Sequence, residues 1–342
     1  MIKKAVIFSG IILILLALAG GWFIHRVRKP VIDLHGRKYV YIHIPTGSGF
    51  GTVLDTLRGR GLLTDPDAFT WLAHRKHYDE KVRPGRYRLT DRMRNNALVN
   101  LLRSGMQEPV EVIIRNPATG EELAGRVGRK IEADSTRLSA LFNDRSYLRS
   151  FGLTPATVLA LFIPNTYQFY WNTSAGEFMD RMKKEYDRFW TAERRNRAAT
   201  LNLSIAEVVT LASIVEKESN RNDEKPLIAG VYLNRLRINM PLQADPTIVF
   251  AWNDRRIKRV YKSHTEIDSP YNTYRLTGLP PGPICLPSVS SVDAVLHARH
   301  HSYLYFCARE DFSGYHNFAA DPERHRQNAR RYQQALNKLN IR

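Results

Sequence analysis

Two glutamates separated by one residue, Glu216 and Glu218, stand at the end of a segment with helical periodicity. Ser204-Ile205-Ala206-Glu207 has the form of a capping box, in which the serine hydroxyl and the glutamate carboxylate satisfy free backbone N–H groups at a helix start. The helix this predicts runs through Val208, Val209, Leu211, Ala212, Ile214 and Val215 into Glu216-Lys217-Glu218. At about 100° per residue the two glutamates point about 200° apart, so they cannot flank one bond together. Glu218 lies one turn from Ile214 and Val215 and nearly over Leu211, on the most apolar stripe, whereas Glu216 falls nearer Val209, Ala212 and Ser213. A carboxyl group on an apolar face is desolvated. Its neutral form is favoured and its pKa rises toward the range of a general acid. Glu218 is therefore the catalytic candidate; the competing account makes both residues exposed helix-end charges or ion-pair partners of an arginine.

The elements that must position this helix follow from patterning. Residues 5–24 form an uncharged run after Lys3-Lys4, long enough at 1.5 Å per residue to cross a hydrocarbon core of about 30 Å. A cleaved signal peptide competes with a retained anchor, because Ala17-Leu18-Ala19 resembles a cleavage site. The run continues through Trp22, Phe23 and Ile24, an aromatic belt position, which favours the anchor. Residues 1–4 then read as a cytoplasmic N-terminus and 25–37 as a linker. Within 38–106 the order is strand (39–44), helix (from Phe50), helix (68–75), strand (86–89) and a closing helix ending near Gly105: a small βααβ unit, either a binding module or a spacer. Residues 107–342 make a mixed α+β domain. Its segment 161–171 has five aromatic residues among eleven, interrupted by Asn, Thr and Gln, and suits either a core or a sugar-stacking wall. Residues 175–194 read as one charged surface helix, 240–247 and 269–283 as polar or proline-stiffened loops, 303–308 as a buried strand, and Asp321-Pro322 as the start of a last helix.

Six motifs occur in order: Ile214-Val215-Glu216-Lys217-Glu218, Val231-Tyr232-Leu233-Asn234-Arg235-Leu236, Leu242-Gln243-Ala244-Asp245-Pro246-Thr247, Tyr271-Asn272-Thr273-Tyr274, Gly278-Leu279-Pro280-Pro281-Gly282-Pro283 and Gly314-Tyr315-His316-Asn317-Phe318. Together they resemble the YceG-like endolytic murein transglycosylases, most clearly from about Leu161 onward. The anchor and a LysM-like module match more weakly. The resemblance implies an α+β fold and cleavage within peptidoglycan glycan strands at the β-1,4 bond between N-acetylmuramic acid and N-acetylglucosamine, leaving 1,6-anhydro ends, with the second glutamate of the pair, here Glu218, as catalytic residue. It further implies peptidoglycan synthases as partners. With no paired-histidine spacing and no glycine-rich phosphate loop, no metal or cofactor is expected, and the apolar N-terminus leads to the expectation of an inner-membrane anchor with the catalytic domain on the periplasmic side. Pro164-Asn165-Thr166-Tyr167 departs from the family's commoner Pro-Asp-Thr-Tyr, and Asn165 is not taken as catalytic.

One carboxyl group suffices for such chemistry, because the sugar's own 6-hydroxyl replaces the second carboxylate of an ordinary glycosidase. Developing oxocarbenium charge still benefits from nearby dipoles, and Asn234, Gln243, Asp245, Tyr271, Asn272 and His316 are the substrate-binding candidates, each of which could instead staple a loop. A hydrolytic muramidase with Asp245 as second carboxylate and a non-catalytic wall-binding scaffold are the alternatives. With 51 Lys+Arg against 33 Asp+Glu, the net charge is +18, which calls for an anionic surface or polymer. A membrane-directed N-terminus argues for lipid or wall rather than nucleic acid. Two cysteines, Cys285 and Cys307, are too few for a disulfide scaffold, and their pairing is left open.

Overall fold

The structure, a computed structural model, describes residues 2–338 apart from 255 and 258, with side chains from residue 7 onward. Met1 of the expected cytoplasmic segment and 339–342 of the expected catalytic domain lie outside the described residues. It is a mixed α+β chain that divides into two compact units.

The first unit takes the chain up to Glu111, with Lys130–Ala133 and Gln168–Ser174. It opens with α1 (Ile2–Arg28), a helix long and apolar enough to cross a membrane. Its Leu13, Leu16 and Leu18 point outward and exposed, which is costly in water and expected in lipid. Then come β1 (Tyr39–Ile44), α2 (Phe50–Gly59), α3 (Pro66–Arg75), β2 (Gly85–Thr90) and α4 (Asn95–Ser104). β1 and β2 pair antiparallel, Tyr39 opposite Thr90 and Ile44 opposite Gly85. Alternation in β1 and β2 sends Ile42, Ile44, Tyr87 and Leu89 inward onto Val53, Leu57, Phe69 and Leu98. α4 stops where Gly105 adopts φ +72°, a left-handed cap. The expected linker 25–37 is not one. Val31, Ile32 and Leu34 are buried in this core, and the Val31 and Asp33 N–H groups donate to Met93 and Leu62 carbonyls, so the chain leaves α1 directly into the module.

The second unit is Val112–Arg129, Asp134–Tyr167 and the chain from Ala175 onward. It contains α5 (Gly120–Gly128), α6 (Ser135–Asn143), α7 (Arg145–Arg149), α8 (Ala175–Phe189), α9 (Ala192–Thr200), α10 (Ile205–Glu218), α11 (Lys225–Arg237), α12 (Asp245–Trp252), α13 (Val289–Leu296) and α14 (Pro322–Lys338). β3 (Val110–Ile114) pairs with β4 (Asn165–Phe169). β5 (Tyr305–Ala308) pairs antiparallel with β6 (His316–Ala319). The hub is α10, whose residues 208–215 are all buried against α11, α12 and α13. Its capping box forms as the sequence predicts, with Ser204 and Glu207 bonded reciprocally.

Three expectations change. The single helix over 175–194 is two, because Trp190 turns into the core and the Thr191 side chain caps a new helix at Arg194 N–H. The loop 240–247 gives way at Asp245 to α12, with Pro246 in its first turn. β5 is half-buried rather than buried. In the aromatic segment, Phe162, Tyr167 and Phe169 are buried, with Phe162 stacked on Phe178 and edge-on to Phe142, so most of it is core; Tyr170 is exposed.

Candidate active site

The last turn of α10 carries the two glutamates to opposite surroundings. Glu216 Oε2 accepts from Lys225 Nζ at 3.0 Å, from Ser288 Oγ at 2.6 Å and from Ser291 Oγ. Desolvation pushes its carboxyl up, but these donors outweigh that and hold it below the usual range. Ser288 caps α13 and Lys225 opens α11, so Glu216 ties three helices together.

Glu218 has one hydrogen-bond partner among the described residues, Tyr232 Oη, at 2.6 Å from Oε1. The helix lies deep enough to strip the carboxyl of most water while leaving it a face on the surface. Burial drives its pKa from 4.5 to about 7. The Tyr232 bond draws it down, the Asp245 charge pushes it up, and His316 and Arg235 pull it back. A carboxyl poised near neutrality is what a general acid that must later act as base requires.

Glu218 opens on a cleft of about 970 Å³. One wall is α12, presenting Asp245, Val249 and Phe250; another is formed by Asn116, Thr119 and Glu121 at the start of α5; Ile284 and Cys285 complete it. Burial pushes the Cys285 thiol up to about 12, and both cysteines are unpaired thiols. The Ile284–Leu286 strip is fixed from behind: Ile284 N–H donates to Ser213 Oγ of α10 and Leu286 N–H to Pro117 O. Just before it, a Cβ on Gly282 would stand 2.0 Å from Ala156 O, so only glycine allows that approach. On its other side Glu218 borders a second hollow of about 430 Å³, lined by Arg221, Tyr315 and His316. Glu218 thus lines both hollows.

A family model described as the YceG-like family matches residues 42–331. The chain belongs to this family. Endolytic murein transglycosylases of Streptococcus pneumoniae and Bacillus subtilis are each 28% identical to this YceG-like chain. The match covers 89% of the chain and 61% of the pneumococcal protein, and 85% of both chain and protein for Bacillus. The chain therefore spans less than two thirds of its pneumococcal relatives. A crystal structure of a yceG-like protein from Listeria monocytogenes superposes with a TM-score of 0.57 at 26% identity, covering 85% of this chain and 98% of that one.

The YceG-like site gathers some of the sequence candidates and discards others. Asp245 is on the cleft wall, its Oδ1 accepting from Tyr274 Oη at 2.5 Å. Tyr271 backs the wall, its ring 4.7 Å from that of Phe250, which faces the cleft. His316 lines the second hollow. Its Nδ1 and its backbone N–H both bond to the Glu224 carboxylate at 2.7 Å. Gln243 is exposed beside the site with φ +50°, its N–H bonded to Thr273 O and its Oε1 3.5 Å from Arg235.

Asn234 and Asn272 are corrected. Asn234 Nδ2 donates to the His301 and Tyr303 carbonyls, and the buried Asn272 Nδ2 donates to those of Thr265 and Ile267, so both amides are fully engaged in holding loops. Asn165 sits on β4, its Oδ1 taking the Thr166 N–H.

Sequence reasoning missed Tyr232, Tyr274, Arg235 and Glu224. Tyr232 stands two residues before Asn234 in the same motif, and Tyr274 closes the motif that suggested Tyr271. The buried Arg235 donates to the carbonyls of Pro241, Leu242 and Leu304, fixing the approach to α12.

Proposed function

We propose that this protein is a membrane-anchored endolytic lytic transglycosylase of peptidoglycan, with Glu218 as its acid and base. The observation that carries the reading is a single desolvated carboxyl, its pKa pushed up to about 7 by burial, that lines two neighbouring hollows. Glu218 in its acid form protonates the glycosidic oxygen between N-acetylmuramic acid and N-acetylglucosamine. The C1–O bond breaks as positive charge develops on the muramic acid ring. The 6-hydroxyl of the same sugar then adds to C1, its proton passes to the Glu218 carboxylate, and a 1,6-anhydro end is released with no water consumed. Proximity of that hydroxyl to C1 takes the place of a second enzymic carboxylate. Asp245, with its proton-donating neighbour Tyr274, is suited to countering the developing ring charge, and Phe250 to stacking on an apolar sugar face. His316, Tyr271 and Gln243 complete the substrate-binding set.

The names carried by the Streptococcus and Bacillus relatives support this substrate class. The βααβ order with paired outer strands supports reading the small module as LysM-like and glycan-binding. The apolar α1 supports a single membrane span; the inner membrane, with the catalytic unit on the periplasmic side where peptidoglycan lies, is the placement the proposed substrate requires. Action on nascent strands beside peptidoglycan synthases is part of the same proposal and rests on the family resemblance.

Asp245 on the same wall also permits a hydrolytic muramidase, with a water in place of the hydroxyl. Digestion of uncrosslinked glycan strands by wild type and Glu218→Gln, with the ends identified by mass spectrometry, separates the readings. Wild type yielding 1,6-anhydro ends and an inactive variant support the proposal. Reducing ends point to hydrolysis, and an active Glu218→Gln overturns both.

A further inference from the structure

We infer that the small module carries a binding site for the headgroup of an anionic phospholipid, formed where the end of α3 meets α4. The inference rests on the anchoring role of α1. Lys29, just past α1, pairs with Asp65 at the start of α3 at 3.0 Å. Further along α3, the Trp71 ring meets Trp22 and Phe23 of α1 at 5.4 and 5.6 Å, and the Arg26 guanidinium lies over Trp22 at 4.6 Å. As α3 advances from Asp65 to Trp71 it therefore runs back along α1 toward the apolar run. Tryptophans and an arginine at that level have the make-up of a membrane–water boundary. The end of α3 is thus directed at the lipid headgroups.

At that end lies a hollow of about 670 Å³, lined by Lys76, Lys81, Arg83 and Arg103 together with His77 and Asn100. No carboxylate lines it. Asp79 and Glu80, the acidic residues of this segment, are bonded to His74 and His77. The cations are held in place by neutral groups: Lys76 Nζ lies 2.6 Å from both Asn96 Oδ1 and Asn100 Oδ1, Arg103 Nη1 donates to Lys76 O, and Arg83 Nε donates to Arg103 O. Loss of water first, and the Arg103 charge second, lower the Lys76 pKa, and among the described residues no acidic counter-ion lines the hollow. A phosphodiester supplies that counter-ion at the depth where the hollow opens, with its acyl chains continuing beside α1.

The test uses the full chain in neutral maltoside micelles, titrated with dihexanoyl-phosphatidylglycerol, dihexanoyl-phosphatidylcholine or inorganic phosphate, and bound molecules counted by native mass spectrometry. The expected result is preferential retention of phosphatidylglycerol. Lys81→Gln/Arg103→Gln weakens it roughly 25-fold, about fivefold per cation, while neutralising the remote, exposed Arg58 to Gln has no effect. Should the double variant misfold by circular dichroism, Lys81→Gln alone reads the fivefold step. Unchanged lipid retention in a folded variant, or no preference over phosphatidylcholine, overturns the inference. Inorganic phosphate binding as tightly as the lipid overturns the lipid assignment. Failure of the anchor is read separately, as release of the chain from membranes by alkaline carbonate.

Discussion

Glu216 and Glu218 share one helical turn, one side-chain chemistry and one cause of desolvation, yet burial leaves Glu216 ionised and Glu218 close to neutral. Around Glu216 the packing of α10, α11 and α13 brings two hydroxyls and an ammonium, and charge-assisted hydrogen bonds compensate the lost water. Around Glu218 it brings one phenol and, across the cleft, the negative Asp245. Burial alone decides neither pKa; the number and sign of the groups that accompany it do. One carboxylate is thereby a structural rivet and the other is suited to the role proposed for it.

Substitutions can break this contrast. The largest effect is expected for Glu218→Gln: cleavage of glycan strands falls by about a thousandfold, the scale of a lost general acid, measured as initial rate on uncrosslinked strands. Glu216→Gln tests the other side. It leaves Lys225, 5% exposed, without its partner, and is expected to cost about 3 kcal/mol of stability in a denaturation series, with the acid's pH profile unmoved.

The same series distinguishes the two residues by sign. Glu218 has a folded pKa above its unfolded one, so below pH 4.5 it is protonated in both states and contributes nothing. As pH rises through about 7 the folded protein must carry a desolvated carboxylate. Glu218→Gln should therefore stabilise the protein at pH 8 by about 2–3 kcal/mol and leave it unchanged at pH 4. A stability difference between Glu218→Gln and wild type that is the same at both pH values would show that the two glutamates do not differ in this way.

The subtler tests shift a titration. Activity that needs protonated Glu218 should fade as pH rises through about 7. Removing the Tyr232 hydroxyl (Tyr232→Phe) takes away a bond that favours the carboxylate and moves that limb up; removing the Asp245 charge (Asp245→Asn) moves it down, each by about one pH unit. Profiles of kcat/KM against pH that move in the same direction would refute the account. Smallest of all, Ser288→Ala removes one of three donors to Glu216 and the cap of α13, for about 1 kcal/mol, read as a small fall in Tm.

Much of this was legible in the sequence because it depends on local periodicity. The capping box set the phase of α10, and phase assigned Glu218 to the apolar side. Strand alternation and Gly105 gave the βααβ module. What periodicity does not carry is the identity of a partner across space. Asn234 and Asn272 have the right chemistry for a sugar hydroxyl, but loop carbonyls, distant in sequence for Asn234 and nearby for Asn272, claim their amides first. Tyr232 gives no signal of its own, because a helix pattern shows which side is buried and not which buried side chain ends on a functional group. α12 was missed even though Asp245-Pro246 has the same helix-opening form as Asp321-Pro322, where it was read correctly; the surrounding polar residues masked it. The linker over 25–37 failed for a related reason, since three isolated apolar residues, Val31, Ile32 and Leu34, become core only when a module folds around them.

The strip of backbone at Ile284–Leu286 has one more effect. Bonded to Ser213 of the helix that bears the acid and to Pro117, and held against Ala156 by the bare α-carbon of Gly282, it forms with α10 a fixed jaw. The spacing between Glu218 and this side of the cleft is thereby set by the fold. If the groove grips and releases a polymer, the travel belongs to the opposing jaw, where α12 carries Asp245 and Phe250.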